Sequence, residues 1–78
     1  MRYRLDLTLR QVEGALVRVL DTTERRGFIP VRVDGETRTD GDRWHLHMTV
    51  EGDREPETLT HQLEKLYDCL AVDMQPCA

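Results

Sequence analysis

The chain has 78 residues, a net charge of −4 and 33% charged residues. That length supports one small domain burying only about 60% of its unfolded surface. The acid excess excludes a general nucleic-acid binder, which needs surplus Lys and Arg to neutralise phosphates.

No apolar run approaches the ~20 residues of a membrane span. Arg2, Arg4 and Asp6 interrupt any signal-peptide pattern at the start. Cys69 and Cys77 supply neither a disulfide framework nor a close metal pair. A reduced, cytoplasmic setting is the expectation. A small domain without disulfide or metal commonly gains stability by oligomerising, so a partner chain is expected on size alone.

Residues 2–9 alternate, with Tyr3, Leu5, Leu7 and Leu9 on one side and Arg2, Arg4, Asp6 and Thr8 on the other. This predicts a strand with one buried and one wet face. Val12, Ala15, Leu16, Val19 and Leu20 then fall at helical spacing, which predicts an amphipathic helix over about 11–26. Arg25 and Arg26 suit the negative end of its dipole, and Gly27 suits its C′ position. Phe28 to Val33 reads as a second strand with Ile29, Val31 and Val33 on one face; Pro30 places it at a sheet edge. Glu36 to Thr39 extends this strand, and Asp40-Gly41-Asp42 marks the hairpin tip.

A third strand runs from Trp44 to Glu51, with Trp44, Leu46, Met48 and Val50 facing one way and His45, His47 and Thr49 the other. Pro56 suits the first position of a second helix, flanked by Glu55 and Glu57 at its positive end, with Leu59, Leu63, Leu66 and Tyr67 as its apolar face. Cys69 to Met74 forms a last short strand with Leu70, Val72 and Met74 on one side, and Gln75 to Ala78 a tail. The order β-α-β-β-α-β predicts an α+β, ferredoxin-like domain: a four-stranded antiparallel sheet in spatial order 4-1-3-2, with both helices on one face.

Gly14-Ala15-Leu16-Val17-Arg18-Val19, followed by Arg26-Gly27-Phe28-Ile29, resembles the ACT domain of acetolactate synthase (acetohydroxyacid synthase) small subunits. That family shows a Gly-Ala-Leu-x-Arg-Val helix start and an Arg-Gly-(Tyr/Phe) helix end at this spacing. Gln62-Leu63-Glu64-Lys65-Leu66-Tyr67-Asp68 before the last strand is similar as well. The likeness covers about residues 3–74, so residues 1–78 are expected to form a single ACT domain. Many small subunits carry a second domain; this sequence looks like the short isozyme II type. The resemblance implies a non-catalytic regulatory or activating subunit in branched-chain amino acid biosynthesis. Thiamine diphosphate, Mg and FAD are then expected in the partner large catalytic subunit, which condenses pyruvate with a second 2-keto acid, and no cofactor in this chain. The alternative is a free-standing ACT amino-acid-sensing module.

The resemblance also implies an effector site at the turn after strand one: Gln11, Glu13, Gly14, Ala15 and, from the second strand, Ile29. A glycine lets backbone N–H groups approach a carboxylate, and a helix N-terminus favours that anion. Feedback-regulated relatives carry asparagine at the positions of Gln11 and Ile29. Ile29 offers no hydrogen bond, and a charged ligand taken from water without replacement partners loses binding. Glu13 repels a carboxylate if it points inward. Weak or absent valine feedback is the expectation.

His45 and His47 make an H-x-H pair on the wet face, which can ligate metal only with a third ligand that the sequence does not place. No metal site is expected; a wet surface or partner contact is the simpler reading. Arg18 and Arg32 are either solvated or partner-facing, and Trp44 belongs with the core. An acylphosphatase-like enzyme needs a positioned asparagine beside an arginine such as Arg10, and the chain contains no asparagine. An RNA-recognition sheet needs aromatics on its open face, where this chain offers Arg, Asp, His and Thr. A copper chaperone needs Cys-x-x-Cys after strand one, which is missing. A homodimer through strand two and helix one is expected, because pairing hides the edge backbone at Phe28–Val33. The large subunit is expected on either the open sheet face or the Gly14 turn.

Overall fold

The computed structural model describes residues 1–37 and 42–77. Six elements follow in order: β1 (Arg2–Arg10), α1 (Ala15–Arg25), β2 (Ile29–Thr37), β3 (Arg43–Glu51), α2 (Pro56–Glu64) and β4 (Cys69–Pro76). The strands form one antiparallel sheet in the order β2-β3-β1-β4, which is the 4-1-3-2 arrangement expected from the sequence. The expected hairpin tip falls on residues 38–41, outside the described residues, apart from Asp42.

The alternation of β1 and β3 builds the core. Tyr3↔Val50, Leu5↔Met48 and Leu7↔Leu46 are cross-strand partners, all buried. Val19 of α1 and Leu59 and Leu63 of α2 close over them, with Phe28 at the end of α1. Tyr3 and Phe28 meet edge to face, ring centroids 6.1 Å apart, a favoured aromatic geometry. The opposite face of the sheet carries Arg2, Arg4, Asp6 and Thr8 of β1 beside Glu51, Thr49, His47 and His45 of β3, with no helix over it among the described residues.

Helix α1 starts later than its periodicity predicts. Gly14 is its N-cap at φ 81°, and Gln11, Val12 and Glu13 form the turn before it. Val12 is therefore outside the apolar stripe and 41% exposed. Its place in the buried row is taken by Thr23, two turns beyond Ala15, whose hydroxyl donates to the Val19 carbonyl at 2.8 Å. That bond within the helix is what lets a polar residue sit in the core. The C-terminus ends as expected. Gly27 at φ 88° donates to Glu24 O and Phe28 to Thr23 O, both at 3.1 Å, the paired bonds of a Schellman motif.

Two β-bulges redistribute apolar residues. In β2, Ile29 faces Glu51 and Pro30 faces Val50, but Arg32, rather than Val31, faces Thr49. The extra residue, Val31, shifts the pleat, so Ile29 lies on the open face while Val33, opposite Met48, lies on the helix side. Ile29, Val31 and Val33 do not share a face, because one inserted residue reverses side-chain alternation. Pro30 sits in an edge strand, as its missing N–H requires. A second shift in β4 places Cys69, Val72 and Met74 toward the core and leaves Leu70 between registers. β4 also runs two residues beyond Met74, and Cys77 N–H donates to Arg2 O at 2.9 Å. Pro56 opens α2 as expected. The helix ends at Glu64, so Leu66 packs on the core from the following turn and Tyr67, 75% exposed, is not part of an apolar helix face. Among the described residues no helix is long and apolar enough to cross a membrane.

Candidate functional site

The turn between β1 and α1 is tied to the loop before β4. Arg10 N–H donates to Asp68 O at 2.7 Å, and its side-chain Nε donates to Tyr67 O at 3.1 Å. The same guanidinium lies over the Tyr67 ring, 4.6 Å from its centroid, a cation–π contact. Gln11 N–H donates to Asp42 O at 2.9 Å. Gly14 has the left-handed conformation that only glycine adopts without strain.

Arg18 decides what this turn offers. One turn into α1, it reaches back across the helix N-terminus. Its Nε donates to Asp68 Oδ2, and its Nη2 donates to Glu13 O at 2.7 Å. Asp68 is only 3% exposed. The hydrogen bond to this carboxylate raises the Arg18 pKa above its ordinary value. A Cβ built on Gly14 would meet Arg18 Nη1 at 2.8 Å. The space that a glycine opens at this turn is thus filled by the chain's own guanidinium. Arg18 is held by Asp68 and the Glu13 carbonyl while its side chain stays 49% exposed. Asp68 belongs to the Gln62–Asp68 stretch that carries the family resemblance, but its pairing with Arg18, 50 residues away, shows only in the fold.

The expected effector residues separate into two places. Gln11, Glu13, Gly14 and Ala15 sit at the N-terminal end of α1. Ile29 sits past its other end, about 16 Å along an 11-residue helix, and is 65% exposed opposite Glu51. Ala15 is buried and supplies no polar group.

The open sheet face carries a second constellation. Across the strands, Arg32, Thr49, Arg4 and Gln75 are aligned in one row, and Asp34, His47, Asp6 and Asp73 in the next. His47 Nδ1 lies 2.5 Å from Asp6 Oδ1, and Arg4 Nε lies 3.6 Å from the same oxygen. A cleft of about 280 Å³ opens here, lined by Arg4, Arg32, Asp34, His47, Met48 and Thr49. Among the described residues no group of three His, Cys, Asp or Glu side chains is placed to hold a metal ion. Cys69, half-buried beside Ala71, has its thiol pKa pushed up by that burial.

The family model of the ACT domain matches residues 11–72. The chain belongs to the ACT-domain family. ACT domains are regulatory modules without catalysis of their own. The sequence matches no curated protein. Among solved structures, the ACT domain of a GTP pyrophosphokinase from Chlorobium tepidum superimposes with a TM-score of 0.79 at 8% identity, over 96% of this chain and 97% of that one. The regulatory subunit of aspartate kinase from Thermus thermophilus, in its ligand-free form, gives 0.76 at 17% identity, over 96% of this chain and 50% of that one. A formyltetrahydrofolate deformylase from Burkholderia mallei gives 0.77 at 10% identity, over 97% of this chain. This ACT domain spans 28% of the deformylase's length. At these identities the likeness is one of fold. The closed turn under Arg18 and the charged open cleft are read from this ACT domain's own side chains.

Proposed function

We propose that this ACT domain is a regulatory, activating small subunit of acetolactate synthase, of the short isozyme II type. It docks onto the thiamine-dependent large subunit, which carries the thiamine diphosphate, Mg and FAD, and it responds weakly or not at all to valine. The reading is supported by the helix-one signature, whose residues now have physical roles: Gly14 and Gly27 hold left-handed backbone at the two ends of α1, and Arg18 seals the first end onto Asp68. The observation that carries the weak valine response is that seal. At the Gly14 turn the guanidinium lies over the glycine and already donates to Asp68 and the Glu13 carbonyl, which leaves fewer donors and less room for an incoming carboxylate.

Assembly through the edge fits the same reading. β2 leaves one side of its backbone unpaired, and Val31, Val33 and, on α1, Val17 are exposed. Pairing two β2 strands gives one continuous sheet and removes this edge from solvent. The test is co-expression with the host's thiamine-dependent large subunit. Co-purification with a gain in acetolactate formation is the expected result. A fully active large subunit that forms no complex would overturn the proposal. If an amino acid then stabilised the isolated chain against heat, the free-standing sensor would be the correct reading.

A further inference from the structure

The charges of the open face are ordered by row rather than scattered. The row of Arg32, Thr49, Arg4 and Gln75 carries cations and neutral groups. The next row, about 7 Å along the strands, carries Asp34, Asp6 and Asp73 around His47. Little of this charge is neutralised within the chain. Among the described residues, Arg32, Asp34 and Asp73 make no ion pair. Both contacts to Asp6, from His47 and Arg4, fall on Oδ1. A cleft of about 280 Å³ straddles the two rows, lined by Arg32 and Thr49 of one and Asp34 and His47 of the other.

We infer that the open face docks onto the open face of a second copy of this chain, about a two-fold axis that runs across the strands between these two rows. Rotation about that axis lays each row over the other row of the second copy. Arg32 of one copy then faces Asp34 of the other, Arg4 faces Asp6, Gln75 faces Asp73 and Thr49 faces His47, and each pair recurs by symmetry. The rows on either side continue the match: Glu51 faces His45, Arg2 faces Thr8 and Ile29 faces Glu36. No like charges are opposed. A two-fold along the strands instead sets the arginine row on the arginine row, and the cost of like charges selects the first arrangement. The sheets stack about 10 Å apart, and the cleft gives the facing arginine room. Sheet twist turns stacked strands by about 30°, which displaces the corners and leaves the rows beside the axis opposed. Four rows on four strands cover about 500 Å² per copy, the low end for a specific contact, and exposed ion pairs each add little. The contact is therefore weak, with a dissociation constant of about 1 mM, beyond the reach of a sedimentation run. It uses neither the β2 edge nor the large subunit, so it stands apart from the function proposed above.

The experiment uses the full chain, labelled with nitrogen-15 and carrying Val33→Lys to silence the β2 edge. Diluting it from about 2 mM to about 0.1 mM is expected to shift the amide resonances of Arg4, Asp6, Arg32, Asp34 and Thr49. Salt at about 0.5 M, which screens exposed charges, should remove those shifts. Adding either Arg32→Asp or Asp34→Arg sets like charges in contact twice, so each variant alone should associate about tenfold or more weakly and lose the dilution shifts. Mixed in equal amounts, the two variants again set opposite charges at positions 32 and 34 of facing copies, and the shifts should return. That recovery separates docking from damage to the fold. Dilution shifts that are absent, or centred on α1 and α2, would overturn the inference. So would shifts that persist in either variant, fail to return in the mixture, or ignore salt. A large subunit that forms no complex with the chain would strike the function proposed above and leave this contact standing.

Discussion

Replacing Gly14 by alanine tests the closure of the first turn. An L-residue held in the left-handed helical region costs about 1–2 kcal/mol. Alanine also places its Cβ 2.8 Å from Arg18 Nη1, too close for the guanidinium to stay, so Arg18 must loosen its hold on Glu13 O or on buried Asp68. The backbone cost alone sets the minimum effect. With about 2.1 cal/mol/K of unfolding entropy per residue over 78 residues, it corresponds to a fall in Tm of roughly 6–12 °C. Thermal unfolding followed by circular dichroism reads it directly. In an Arg18→Ala background the collision is gone, so Gly14→Ala should cost less there than in the wild type. Gly14→Asn, which tolerates the left-handed region better, should fall between. A Gly14→Ala protein melting within about 2 °C of wild type would refute the backbone argument. An identical loss in both backgrounds would refute the claim that Arg18 occupies the glycine's space.

Three further outcomes are expected. At Gly52 an added Cβ would lie 2.8 Å from Phe28 Cδ2 and 2.9 Å from Gly27 O; the ring is buried and the carbonyl fixed by the helix end, so Gly52→Ala should cost about 1–3 kcal/mol in a urea titration, and a neutral result would contradict the packing described. Val33→Lys, on the exposed edge strand, should abolish concentration-dependent dimerisation in sedimentation runs while leaving the monomer folded; a wild type that stays monomeric at high concentration would remove the edge-pairing proposal. Burial raises the Cys69 pKa, so the unfolded chain loses this proton first: the contribution is intact below about pH 9.0 and is lost as pH rises through the raised folded value. Wild type should therefore lose more stability than Cys69→Ala between about pH 8 and about pH 10, and parallel losses would place the thiol in water.

The elements and their order were legible because three signals agreed: period-two alternation in residues 2–9 and 44–51, helical spacing from Ala15 to Leu20, and glycine or proline at Gly27 and Pro56. What escaped was decided by contacts between distant segments. Val12 fits the helical spacing, yet Gly14 in left-handed backbone starts the helix after it. Val31 fits a strand alternation, yet a bulge against Thr49 changes the face on either side. Tyr67 fits the α2 stripe, yet that helix ends at Glu64 and the ring turns out to meet Arg10. Glycine marked the right turn for the candidate site, but the residue that fills it, Arg18, has meaning only once Asp68 is brought beneath it from 50 residues away. The bulge before Arg32 decides that Ile29 joins Arg32 and Asp34 on the open face, which simple alternation along the strand does not show.

The Val31 bulge also bears on how safely this domain lives with a bare edge. A regular, flat strand of valines accepts almost any extended peptide, and such edges are where chains stick to one another indiscriminately. An inserted residue and a proline without an N–H break that regularity within the first turns of the pleat. The interruption shortens the stretch along which an extended peptide can add in register, so this bare edge is a poorer template for indiscriminate pairing than an unbroken strand.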